Sequence, residues 1–479
     1  MRKNIILLIA RHFWTSIFKS KILYTLFGVI IILLFYAAYS GVSYHDQNHF
    51  RTEHQEMARQ SWEANPDKHP HRMAHFGTFA FRIKYPLSIF DFGIESYTGN
   101  AIFLEAHKQN MVNFSDAGFS TGLLRFGELS MGMVLQLILP LIIFFIGYSA
   151  IVSDRENGTL KILITQGARW KEILFGRSLG LFAIAFFFVL PFFIITVILL
   201  LLEGATTADV WIRLSILTLL YVAFSFVLSF ITITVSTNSR SSKSALIKLL
   251  GLWLVLVVLL PRTSQALGTY FHPAPTKLEF KALIEEQVLA HGDSHDPNDP
   301  YFNHLKDSVL KAHNVASVTA LPFNYGGFVM AEGERISAEI YKEQHNQLLQ
   351  NYRQQNELTR WLALINPYLA LKNLSMALCG TDFESYVQFQ NQAEDYRYKL
   401  AQKMNRLQMD YIAADVSSSE GKKNVVDRNE WKSFADFEHD FMSVGGTLES
   451  EAVALISLLL WLALSYFAII YTSQKAKAI

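Results

Sequence analysis

Two groups of residues in this 479-residue chain have the types and spacing to do chemistry. The first runs Asp154-Arg155-Glu156-Asn157-Gly158-Thr159-Leu160-Lys161-Ile162-Leu163 and continues through Gly167-Ala168-Arg169-Trp170-Lys171-Glu172-Ile173-Leu174. It mixes both charge signs with apolar Leu160 and Leu163, a combination that suits a short helix seated in a groove on a soluble partner. The plain alternative is a solvated loop whose charges only set topology. The second group is the histidines, of which seven fall in 43–130, seven in 268–448 and only His12 elsewhere. His69, His71, His75 and His107, with Glu105, could supply imidazole and carboxylate ligands to zinc or copper. Composition offers a simpler account of the bias, because apolar spans exclude histidine. His291-Gly292-Asp293-Ser294-His295-Asp296 also has ligand-like residues, but Pro297 and Pro300 favour a capped turn there.

Other chemistry is missing. No Gly-x-x-x-x-Gly-Lys-[Ser/Thr] phosphate loop occurs, and Glu420-Gly421-Lys422-Lys423 lacks both the upstream glycine and the hydroxyl. There is no Gly-x-Ser-x-Gly elbow and no His-Glu-x-x-His helix. The expectation is therefore a chain without catalytic or cofactor-binding residues of its own. The net charge of +1 and the absence of a dense basic face argue against nucleic acid as a partner. Cys379 is the only cysteine, so no intrachain disulfide is available.

What positions these residues is a set of membrane spans. Uncharged runs at 22–42, 131–153, 178–202, 214–239 and 452–473 are each long enough to cross a bilayer. A sixth, 245–267, carries Lys248 and Arg262 near its ends, where long basic side chains reach the headgroups. Spans without charged interiors weigh against a proton or ion pump. Lysine and arginine concentrate in 1–21, 154–177, 237–248 and the tail, all on one side of a six-span chain. The positive-inside rule then places both termini in the cytoplasm and 43–130 and 268–448 outside it. Residues 4–18 put Ile5, Ile9, Phe13 and Ile17 on one helical stripe, the pattern of an interfacial helix.

The first outer segment, rich in aromatic residues and interrupted by Pro66, Pro70 and Pro86, reads as small, irregular and α-containing. In the second, helical patterns cover 278–290 and 301–312, Gly326-Gly327 marks a turn, and 334–364 runs without glycine or proline. Thr381-Asp382-Phe383-Glu384 has capping-box spacing. Phe389, Ala393, Tyr396, Leu400, Met404, Leu407 and Tyr411 then form a near-heptad seam, expected to face 334–364 in a long helical hairpin. Ser417–Lys423 reads as a flexible polar break. The fold class expected is an all-α polytopic membrane protein: six transmembrane helices, an N-terminal interfacial helix and a mainly α-helical extracytoplasmic domain.

The Asp154–Leu174 text resembles the signature of permease subunits of type-2 exporter-class ABC transporters, in which an acid-Arg-Glu-x-Gly-Thr-Leu element ends a span and opens a short cytoplasmic helix. Six spans, a leading interfacial helix, the element after span two and a large insertion between spans five and six match that family's plan over roughly half the chain. The outer text, including Pro70-His71-Arg72-Met73-Ala74-His75-Phe76-Gly77, Leu104-Glu105-Ala106-His107-Lys108-Gln109-Asn110 and Gly380-Thr381-Asp382, is similar to a subgroup catalogued mainly as a domain of unknown function. The resemblance implies that Asp154, Arg155, Glu156, Asn157, Gly158, Thr159, Leu160, Leu163 and Arg169 contact a separate ATP-binding subunit. It also implies two copies of that subunit carrying ATP and Mg, a second permease copy or a homologous permease, and a place in a bacterial inner membrane. The outer mass of about 270 residues departs from compact members and admits an envelope partner.

Overall fold

The structure, a computed structural model, describes every residue except 114, 116–127, 295, 297, 414–423 and 477–479. The break expected at Ser417–Lys423 lies outside the described residues, as does His295.

The chain begins with α1 (Lys3–Phe18) and α2 (Lys21–Glu63), separated by Ser20, whose hydroxyl caps the second helix. A small outer segment follows, with α3 (Pro70–Phe76), β1 (Thr78–Phe81) and β2 (Ala101–Leu104). Next come α4 (Met131–Gly147), the short α5 (Val152–Glu156) and α6 (Thr159–Thr165), then α7 (Trp170–Leu202) and α8 (Ala208–Thr237). Helix α9 (Ser242–Trp253) passes through a π-turn at Leu254–Leu259 into α10 (Leu260–Phe271). The second outer segment holds α11 (Lys277–His291), α12 (Pro300–His313), α13 (Tyr325–Leu362), α14 (Pro367–Leu378) and α15 (Phe383–Tyr411). Helices α16 (Val444–Ser450) and α17 (Ala452–Lys475) close the chain. Six helical stretches are long and apolar enough to cross a membrane: Lys21–Glu63, Met131–Glu156, Trp170–Leu202, Ala208–Thr237, Ser242–Phe271 and Ala452–Lys475. The protein is an all-α polytopic membrane protein in which the described strands are one two-stranded ribbon.

Several elements differ from the sequence expectation. The first span does not close its helix near residue 42. Its helix continues to Glu63, because 43–63 contains neither glycine nor proline and Pro66 is the first residue to stop it. At about 1.5 Å per residue this helix is about 64 Å long, twice the roughly 30 Å hydrocarbon core. Its outer half is tied into the outer domain: Asn48 exchanges two hydrogen bonds with the Lys84 backbone, and Trp62 donates to the Trp431 carbonyl at 3.1 Å. The first outer segment contains an antiparallel ribbon pairing Thr78 with Leu104 and Phe81 with Ala101.

Gly326-Gly327 is not a turn. Asn324 caps α13, and both glycines lie in its first turn; a Cβ at Gly327 would sit 2.8 Å from the Met409 backbone nitrogen of α15. The α15 start also moves. Its N-cap is Asp382, which accepts from the Ser385 amide, whereas the Thr381 hydroxyl donates to the Asp91 carbonyl at 3.0 Å. The heptad seam faces elsewhere as well. Leu400, Met404 and Leu407 pack with Trp62, Met73, Ala106 and Trp431, and Phe389 and Ala393 pack with Ile102, Leu104 and Phe437. Tyr411 is exposed. The α15 face turned to α13 is polar instead: Arg397 meets Glu334 and Gln402 donates to the Ala331 carbonyl.

Finally, α14 is not part of a free-standing outer domain. Leu369, Leu371, Leu374, Leu378 and Cys379 belong to the same buried cluster as the spans, and α14 packs on α8 and α17. Asn366, fully buried at its N-terminus, donates to the Leu256 carbonyl at 2.7 Å. That carbonyl lies in the π-turn before Pro261, where the regular backbone ladder is interrupted. The expected interfacial helix α1 lies against α7, which Gly176 and Gly180 permit: a Cβ at Gly180 would come within 2.9 Å of the Ala10 carbonyl oxygen. Its opposite face exposes Leu7 and Leu8.

Candidate functional site: a braced helical pair, a polar joint and three histidines

The Asp154–Ile173 segment folds as two short helices joined by Gly158 at φ 77, a left-handed turn that favours glycine. Most of its charges are engaged within the chain. Arg155 donates to the carbonyls of Thr237 and Ser239, both at 2.9 Å, satisfying the C-terminal end of α8. Glu156 accepts from the amide and hydroxyl of Ser242 at the start of α9, at 2.9 and 2.6 Å. Asp154 accepts from Thr159 and pairs with Arg177 of α7. Arg2 forks onto Glu172 and reaches the Gly167 carbonyl, so the chain's N-terminal helix is fastened to the same place. Asn238 donates to Thr472 of the last span. The lysine- and arginine-rich segments thus gather at one end of the bundle.

This arrangement redistributes the expected contact residues. Leu160 is fully buried and belongs to the core, so it faces the chain's own spans rather than a partner, and Leu163 is half-buried. Asn157, Thr159 and Arg169 are exposed, and the exposed apolar residue is Ile162, at 55%.

At the opposite end sits a polar joint that sequence reasoning missed. The buried Asp91 carboxylate accepts from Gln136 of α4 at 2.9 Å, Ser375 of α14 at 2.5 Å and the Gly93 amide at 3.1 Å. Gln136 and Ser375 both also bond the Tyr221 hydroxyl of α8, at 2.8 and 3.0 Å. Beside it, Arg213 is 2% exposed. It pairs with Asp209 at 2.9 Å, donates to the Leu378 and Met442 carbonyls, and lies over the Tyr85 ring. Tyr85 in turn donates to Asp209. Isolated polar residues in apolar text carry little pattern; the only available signal was that buried polar groups must find partners.

Of the histidine candidates, the structure brings together His71, His75 and His107, with one ligand nitrogen from each within 4.8 Å of the others. His69 is instead the N-cap of α3, accepting from the His71 amide at 3.2 Å. Glu105 pairs with Lys108 at 3.4 Å. Behind the cluster, Glu334 accepts from the His107 amide at 2.9 Å and lies 3.3 Å from its Nδ1. Burial pushes the Glu334 carboxyl up, but the His107 hydrogen bond and the Arg397 charge outweigh it and hold the group at about 2. Arg397, 1% exposed, also forks onto Glu394. That second carboxyl, buried and close to Glu334, is pushed upward.

No curated protein matches this chain. A family described as "Domain of unknown function (DUF3526)" matches residues 277–440, the stretch from α11 through α15 to just before α16.

Proposed function

We propose that this chain is the permease subunit of an ABC transporter of the type-2 exporter class, seated in a bacterial inner membrane with both termini cytoplasmic. A separate ATP-binding subunit, in two copies, supplies ATP and Mg, and a second permease completes the assembly. The observation that carries the reading is the braced helical pair. It presents Asn157, Thr159, Lys161, Ile162 and Arg169 outward while Arg155, Glu156 and Asp154 tie it to the ends of α8, α9 and α7. A push on such a surface is delivered to three spans at once rather than absorbed by a loose loop.

A second reading is favoured by the 43-residue helix α2 and by α14, which joins the outer arms to the span core. In it the ATP cycle moves the outer domain against an envelope partner and nothing crosses the membrane.

Co-expression with the ATP-binding subunit tests both. The isolated chain should hydrolyse no ATP. Ile162→Glu places a charge at the exposed apolar contact without breaking an internal bond, and should reduce co-purified ATPase activity at least about tenfold, one desolvated contact's worth. The chain's own melting temperature should not move. Undiminished co-purification and turnover would exclude the segment as the docking surface. Glu156→Arg is less diagnostic, since it also breaks the Ser242 contacts.

A further inference from the structure

We propose that His71, His75 and His107 bind one divalent transition-metal ion of the zinc class, which joins helix α3 to the outer arms. The site is assembled by three independent constraints. His71 and His75 stand at i and i+4 on α3, so both imidazoles leave the same helical face. The turn after β2 is pinned beside them by a hydrogen bond from the Ala106 amide to the Ala74 carbonyl at 3.2 Å. His107 there adopts φ 60, a left-handed conformation uncommon outside glycine, though less so for histidine than for most residues.

The three rings stand with centroids 4.7, 5.4 and 5.4 Å apart. Zinc–nitrogen bonds of about 2.0–2.1 Å require tetrahedral ligand nitrogens roughly 3.4 Å apart. The nitrogens here lie within 4.8 Å, so rotations of about 1 Å close the site. Glu334, behind His107, supplies the outer carboxylate that metal-bound histidines generally have: holding a proton on Nδ1 selects the tautomer whose Nε2 can coordinate. Arg397 pairs with that carboxylate and is itself held by Glu394.

The donor set defines the ion. Three imidazoles and no carboxylate in the first coordination sphere select Zn2+ or Cu2+ over Mg2+ and Ca2+, which require oxygen ligands. His75 is exposed, which puts solvent at the fourth position. His71-Arg72-Met73-Ala74-His75 has no glutamate after its first histidine, so it is not the metalloprotease helix, and the role assigned here is binding. The site bridges α3, the β2 turn and, through Glu334 and Arg397, both α13 and α15.

The test uses the full chain in detergent, stripped with a chelator and titrated with Zn2+ alone, with Co2+ as an optical probe. One equivalent should bind, and Co2+ should give the intense visible bands of four-coordination. Glu334→Gln should weaken binding by about 10–100-fold as a partner behind a ligand, and His75→Ala, a lost ligand, by about 100-fold or more. Because His75 is exposed, its loss should leave the metal-free melting curve unchanged. His304→Ala, in α12, is the control and should bind as the wild type does. A Zn2+ isotherm unaltered by His75→Ala, or one equalled by that variant together with the control, overturns the proposal.

Discussion

Replacing Asp91 tests whether the joint between outer domain and spans is held by one carboxylate. The side chain accepts three donors, from Gln136, Ser375 and Gly93, in a site without solvent. Asparagine keeps the volume but exchanges one acceptor oxygen for an amide nitrogen, so one donor faces another. That loss costs about 1–3 kcal/mol. Alanine removes every acceptor. Two side-chain donors to a charged acceptor are together worth about 3–6 kcal/mol, and relief of the buried carboxylate's desolvation, which pushes its pKa up, argues for the lower figure of about 3.

The only cysteine provides the readout. Cys379 is completely buried at the end of α14, and burial pushes its thiol pKa up, so a maleimide reaches the thiolate only when the joint opens. Where reclosing outruns labelling, the rate follows the opening equilibrium. Asp91→Ala should therefore speed labelling by about 100-fold and Asp91→Asn by about tenfold, at roughly 1.4 kcal/mol per decade. Asp91→Ala combined with Ser375→Ala should cost less than the sum of the two, since they share a bond. Wild-type labelling rates in Asp91→Ala would refute the assignment of the joint to this carboxylate.

Gly180→Leu should separate α1 from α7, because its Cβ would come within 2.9 Å of the Ala10 carbonyl and 3.1 Å of Phe13; a loss of about 1–3 kcal/mol is expected, read as a lower midpoint in nanodisc melts. Acid should weaken the outer arms through His345, which lies in a groove with Arg335, Lys342, Glu394 and Asp395 and stacks on Tyr341. Burial holds this imidazole at about 4, against about 6.5 when unfolded, so the unfolded chain alone takes up a proton between those values. Stability is complete above about 6.5 and falls by up to about 3 kcal/mol as pH drops toward 4; His345→Phe should flatten that slope in pH-dependent denaturation, and an unchanged slope would exclude His345 as its source.

The spans were legible because a bilayer imposes length and hydropathy on contiguous residues, and both can be read without knowing any partner. Helix α14 was not. Twelve residues are too few to span, and Lys372 interrupts its apolar text, so nothing local says that it lies among spans. The seam of α15 was visible, but its partner was not: periodicity states that a face is buried and is silent on what covers it. The i, i+4 pair of His71 and His75 could be read directly, whereas His107 joins them only through a ribbon that spaces it 32 residues away. The inward orientation of Leu160 escapes the sequence for the same reason as the seam, since an apolar residue on a short charged helix suits its own core as well as a partner's groove. Asp91 meets Ser375 across 284 residues, a pairing that no window of sequence contains.

Helix α8 connects the two ends of the molecule. Its C-terminal carbonyls at Thr237 and its neighbour Ser239 are held by Arg155, and one helix length away Arg213, at its N-terminal end, holds the Leu378 and Met442 carbonyls. Tyr221, between them, reaches the Asp91 joint through Gln136 and Ser375. Thirty helical residues give a strut of about 45 Å, kept at fixed rise by its i→i−4 backbone bonds. Displacement of the braced pair must therefore either carry Arg213 and the base of the outer arms with it or break the Arg155 contacts. On the proposed reading the first outcome is coupling, and the second is the failure that Arg155 prevents by closing the C-terminal end of the strut.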